Sequence, residues 1–237
     1  MNEGGGPMTT LYEDVYAEIA RGTAGASLPG WALEVLEDIA AGRRPVKAVR
    51  HPLGFVCLPV ERRGHLGVCL HLWSPLLALT APTTSQVHCH SWELVSFVLY
   101  GRLSNILAGI GEGATHRVFE VVSRGDLDEI KATERTVRYT PGTVQTHRAG
   151  DAYTLPAGVF HSTVIEAGHD TATVALGRTA TARYGDGGRP AVPVSADLSL
   201  GALATPTHRV DRRRCDPAET VHAARLSAKR LAAIQAA

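Results

Sequence analysis

Three histidines stand at spacings suited to holding one metal ion. His88 and His90 flank Cys89, and His161 closes a stretch that begins at Gly150 and contains Pro156 and Gly158. Residues two apart on a strand share a face, so His88 and His90 point one way and Cys89 the other. Pro156 and Gly158 predict a sharp turn that delivers His161 at the start of the next strand. Three neutral imidazoles on one side of a cation suit iron, zinc, copper or nickel, and they leave positions open for a substrate.

Such a constellation needs strands that bring distant segments together. From about residue 53 to 180 the chain supplies short apolar runs, among them Leu66–Trp73, Leu94–Tyr100 and Phe160–Ile165, punctuated by Gly, Pro and Asp. That pattern predicts a mostly β jelly roll, two packed antiparallel sheets with a cavity between them. Residues 1–10 read as a Gly-rich flexible tail. Residues 11–52 read as a helical cap: Leu11, Val15, Ile19 and then Leu33, Leu36, Ile39 recur at helical spacing, with Gly22 and Gly42 as stops. Residues 181–215 show little periodicity and read as irregular. Residues 216–237 predict a final helix, with Asp216 as N-cap, Pro217 in the first turn and Glu219 at the capping-box position. The charged run Ser123–Arg135 reads as a surface excursion and Arg212–Arg214 as a solvated loop.

The 237 residues carry 24 basic and 23 acidic side chains, a balance that argues against nucleic acid or an anionic membrane as the main partner. No apolar run reaches the length of a membrane span, and the N-terminus has no signal-like apolar core, so the expected location is the cytoplasm. Cys57, Cys69, Cys89 and Cys215 lack zinc-finger spacing; the first three lie in apolar stretches and read as small buried hydrophobes.

Gly150, Pro156, Gly158 and His161 fill every marked position of G-x5-P-x-G-x2-H, and His88, His90 and Gly101 match G-x5-H-x-H-x3,4-E-x6-G. In these two motifs the chain resembles the cupin superfamily, over about residues 53–180. The resemblance implies a β-barrel, a small-molecule substrate, a homodimer, and one divalent metal ion. Fe(II) is favoured, with Zn, Ni or Mn as alternatives. Two positions depart from the pattern. Pro82 stands where the first motif opens on Gly, and Leu94 stands where it places a ligand Glu. Glu93 comes one residue early, and simple alternation turns it away from the face of His88 and His90, unless a bulge rotates it inward.

Two versions of the site follow. In one, His88, His90 and His161 are the only protein ligands, and the metal keeps its full dipositive charge for an anionic chelating substrate. Thiol dioxygenases, cupins with a three-histidine iron site, work this way. Glu93 then serves as a hydrogen-bond partner of an imidazole or as a general base. In the other, Glu93 is a fourth ligand.

Strand parity carries Ser96, Val98 and Tyr100 onto the histidine face, which makes Tyr100 the expected cavity phenol. On strand 136–140 Arg138 or Tyr139 faces inward, depending on register, and Arg138 is the candidate to pair with a substrate carboxylate. The His71/Trp73 face of strand 66–73 lines the cavity or packs away from it. His51 lies in a turn at one mouth, and His147 is a further ligand candidate. The expected function is an Fe(II) oxygenase acting on a small thiol- or carboxylate-bearing substrate with O2. The alternatives are a metal-dependent isomerase, cyclase or lyase that needs no oxygen, and a barrel that binds a small molecule without catalysis.

Overall fold

The structure is a computed structural model that describes residues 10–77, 85–179 and 196–236; Pro82 and all of the expected tail but Thr10 lie outside them. Three helices and twelve strands follow in chain order: α1 (Leu11–Arg21), α2 (Ala24–Ala40), β1 (Val49–His51), β2 (Phe55–Arg63), β3 (Leu66–Trp73), β4 (His88–Cys89), β5 (Trp92–Tyr100), β6 (Arg102–Arg124), β7 (Leu127–Arg148), β8 (Ala152–Leu155), β9 (His161–Val164), β10 (Thr171–Thr179), β11 (Asp197–Gly201), β12 (His208–Asp211) and α3 (Pro217–Gln235). The strands form two antiparallel six-stranded sheets, β1-β2-β3-β10-β5-β8 and β11-β4-β9-β6-β7-β12. This is the mostly β jelly roll that the strand pattern predicts.

Sequence signals stand at the start of α1 and α3 and at the end of α1. Thr10 and Glu13 form a capping box at α1, Gly22 ends that helix in the left-handed conformation, and Asp216 and Glu219 cap α3. None of the described helices is long and apolar enough to cross a membrane.

The main core does not fill the barrel. It lies between the outer face of the first sheet and the three helices, where Leu58, Leu70, Phe97 and Leu176 meet Leu36 and Leu231. Alternation along β3 sends Val68, Leu70 and Leu72 outward beneath the helices and turns Gly67, Cys69, His71 and Trp73 inward. Inward positions near the centre are small: Gly67 and Gly177 face each other across β3 and β10, beside Ala175. Apolar burial under the helices supplies the fold's stability, and small inward residues leave a cavity inside it.

The expected surface excursion is a hairpin tip, and the described part of the expected irregular segment holds strands. Ser123–Arg135 is the tip of the long β6–β7 hairpin, turning at Gly125. Its charges occupy the exposed side of the strands, while Asp128 and Ile130 point inward. The described part of 181–215 holds β11 and β12, strands too short to show a clear period. Arg212–Arg214 is not a free solvated run, since each guanidinium meets a carboxylate: Asp128, Glu219 and Asp126 respectively.

Candidate metal centre

His88, His90 and His161 converge inside the barrel. His88 and His161 are directly opposed partners of β4 and β9. Two local devices hold this pairing. β11 lies against β4, and Asp197 at its start accepts hydrogen bonds from the Ser91 backbone N–H (2.7 Å) and hydroxyl (2.9 Å), which fixes the chain just past His90. On the other side, Gly158 takes φ 78°, and its N–H donates to the His90 carbonyl at 2.8 Å. That left-handed turn suits glycine, and it ties the segment carrying His161 to the one carrying His90. Gly101, the closing glycine of the first motif, also has positive φ, and a Cβ there would lie 2.2 Å from the Asp170 carbonyl oxygen.

The ring centroids stand 4.9 Å (His88–His90), 4.4 Å (His88–His161) and 5.3 Å (His90–His161) apart. One nitrogen from each ring lies within 4.8 Å of the other two. His88 Nδ1 is 2.9 Å from the Gln86 carbonyl and His161 Nδ1 is 3.0 Å from the Val159 carbonyl. A carbonyl only accepts, so Nδ1 donates in both, and Nε2 keeps its lone pair free. Such orientation by the far nitrogen is what a metal-ligating imidazole requires. His90 is held differently, stacked on Trp92 at 4.2 Å. Burial, reinforced by the neighbouring rings, pushes all three imidazoles down to about 3, so they are neutral near pH 7. Neutral nitrogens facing one another, two of them oriented from the far side of the ring, fit a divalent cation, and these three residues would hold it.

The surrounding cavity measures about 200 Å³. The His71/Trp73 face is the one that lines it, and His51 closes one side, stacked on Phe55 at 4.4 Å. Among the described residues no aspartate or glutamate lines the cavity, whereas Arg62 and Arg212 do. Arg212 is already paired with buried Asp128 at 3.1 Å. Arg62 lies across the bare Cα of Gly67, and its Nη2 donates to Cys69 Sγ at 3.7 Å.

The three residues expected to assist the metal are placed elsewhere. Glu93 faces Arg178 on β10, with Oε1 3.1 Å and Oε2 3.2 Å from its Nη2, on the side that α1 covers. Alternation holds there, and no bulge turns it inward. Tyr100 is buried under the helices and donates to Ser227 Oγ of α3 at 3.0 Å. The reason is a bulge in β5: Thr173 pairs with Val98 and Ala172 with Tyr100, so Leu99 is the extra residue and parity flips after it. Arg138 sits exposed on β7, beside Gly111 and Gly113 of β6. His147 stacks on Tyr153 at 4.4 Å and does not join the triad.

Their places in the cavity are taken by residues that the sequence did not single out. Tyr153 is the cavity phenol, with burial raising its hydroxyl above the usual range. Arg62 is the inward guanidinium that has no carboxylate partner among the described residues. A bulge between Pro59 and Glu61 reverses the parity of β2 and brings Arg62 onto the inner face.

Glu93→Gln and Tyr100→Phe are therefore expected to keep a full complement of metal. The first should cost under about 1 kcal/mol, as for other partly exposed ion pairs. The second should cost about 1 kcal/mol, the loss of one buried hydrogen bond. Metal content and thermal unfolding of both variants check this, and metal-poor Glu93→Gln would restore the four-ligand version.

No family model matches the chain, and no curated protein does. Among solved structures the chain is similar to an RmlC-like cupin from Shewanella frigidimarina, at 14% identity over 54% of this chain and 78% of that one, with a TM-score of 0.31. It is also similar to the DMSP lyase DddQ from Ruegeria pomeroyi (15% identity, 55% of this chain and 50% of that one, TM-score 0.32). A third is the hydroxypropylphosphonic acid epoxidase from S. wedmorenis (12% identity, 52% of this chain and 50% of that one, TM-score 0.33). The chain spans half the length of the latter two.

Proposed function

We propose that this chain is a mononuclear metal-dependent enzyme, an Fe(II) oxygenase of a small anionic substrate bearing a carboxylate or a thiolate. One observation carries the reading: three neutral imidazoles converge in a cavity that no carboxylate lines among the described residues. Neutral ligands leave the cation's charge for the substrate to neutralise. A bound Fe(II) would supply the electrons and the template on which dioxygen and substrate meet.

The chain's own residues do the rest. Arg62 offers a guanidinium with no carboxylate partner among the described residues, and its fork matches a substrate carboxylate. Tyr153 presents a hydroxyl kept protonated by burial. Trp92 and Trp73 give the cavity apolar walls that limit water. A cavity of about 200 Å³ admits a molecule of a few heavy atoms beyond the metal-bound groups. A reducing cytoplasm, in which the four free thiols persist, and a homodimer belong to the same proposal.

The test is anaerobic reconstitution with Fe(II), followed by oxygen-electrode measurements against a panel of small thiols and carboxylic acids. Iron-dependent oxygen consumption with at least one of them is expected. Turnover supported by zinc, nickel or manganese without oxygen uptake would replace the oxygenase by an isomerase or lyase. Absence of any divalent metal after reconstitution would leave only a binding barrel.

A further inference from the structure

We infer that Cys57, Cys69 and His71 form a second cation site in the same cavity, of the Cys2His kind that takes Zn(II) with one coordination position open. The sequence makes these cysteines look like core residues. They are buried, as that reading expects, and they also border the cavity. Cys57 on β2 is the cross-strand partner of His71 on β3, and Cys69 lies two residues before His71 on the same face. All three side chains line the cavity.

Their donor atoms lie within 4.8 Å of one another. Tetrahedral zinc with sulfur ligands at about 2.3 Å needs sulfurs about 3.8 Å apart, so closing on an ion takes side-chain shifts on the order of 1 Å. The site is walled rather than open. The thiols are 6% and 7% exposed, and Phe55 packs against His71 at 4.6 Å and Trp73 at 5.0 Å. The fourth position faces the cavity, because all three donors reach in from one wall.

Charge and softness favour zinc at this place. Two thiolates, formed as the ion displaces the thiol protons, would neutralise a dication. The two sites share no residue, and their donor sets differ: three imidazoles at one, two sulfurs and an imidazole at the other. Thiolates select a thiophilic ion over iron, so the cavity can sort two metals by ligand type. This inference does not rest on the oxygenase reading.

The experiment is metal titration of the full chain, reduced and kept anaerobic, first with Zn(II) and then with Co(II) as a chromophore. The wild type is expected to bind two equivalents and to develop intense near-ultraviolet thiolate-to-cobalt absorption. Cys57→Ser/Cys69→Ser should bind one equivalent and lose that absorption. His88→Ala/His161→Ala should keep it while losing the other equivalent. The cobalt spectrum of the wild type tests the site even if a variant folds poorly. One equivalent and no thiolate absorption in the wild type would overturn the inference. So would absorption that survives the double serine variant. Isolation of a Cys57–Cys69 disulfide whose reduced form takes up no second cation would overturn it as well.

Discussion

Alanine at any one of His88, His90 or His161 is expected to lower affinity for iron at the triad by well over 100-fold and to remove activity with it. The size follows from the number of donors. With three imidazoles as the protein ligands, each is a third of the protein donors, and among the described residues no carboxylate lines the cavity to substitute, Glu93 being held by Arg178. Loss of a residue that merely orients a ligand typically costs 10–100-fold, so loss of a ligand should exceed that range. His147→Ala is the matching control, since that ring stacks on Tyr153 away from the triad, and it should retain iron. Anaerobic iron titration with a chelator competitor measures the difference, and circular dichroism of the metal-free variants checks the fold. Stoichiometric iron at near wild-type affinity in His161→Ala would end the triad assignment, because that side chain is the most enclosed of the three at 2% exposure.

How far the sequence foretold this site depends on strand parity. The convergence of the three histidines was legible because His88 opens a two-residue strand, His90 directly follows it and His161 starts another, where alternation and a Pro-Gly turn leave little freedom. The jelly roll was legible from the regular punctuation of apolar runs, and the helices from their caps. Tyr100 was misread and Arg62 passed over for one shared reason. Each lies beyond a β-bulge, and one extra residue exchanges the inner and outer faces of everything after it. Nothing in the local residue pattern marks either bulge. The cysteines hid for another reason: an inward position looks apolar whether it fills a core or borders a cavity. What distinguishes the two here is Gly67 and Gly177 facing each other, a long-range pairing that no window along the chain displays.

The metal-free protein is expected to lose stability steeply as pH falls from about 6.5 to about 4.5, and metal should delay the loss. The triad imidazoles sit at about 3 in the folded chain against 6.5 for an exposed ring, with burial as the main cause in each. Between those values the unfolded chain binds more protons than the folded one. Their contribution is therefore complete above pH 6.5, declines as pH falls below it, and is gone below about 3. Three such groups give a limiting slope of about 4 kcal/mol per pH unit, enough to consume the whole stability of a typical domain within a few units. Buried His51, also pushed well down, adds in the same direction. The carboxylates held low, Glu18 and Glu219 at about 2, lose their contribution only below their ordinary 4.5, so the interval above that belongs to the histidines. Urea midpoints of chelator-stripped protein at pH 7.5, 6.0 and 5.0 measure the slope, and His161→Gln should flatten it by about one proton. With iron bound at the triad, protons must displace the metal before the rings can charge, so the midpoint should hold to lower pH and then fall together with iron release. A midpoint that does not move between pH 7.5 and 5.0 in stripped protein would mean that the three rings are solvated, and a solvated triad could not be the enclosed, neutral ligand set on which the metal centre depends.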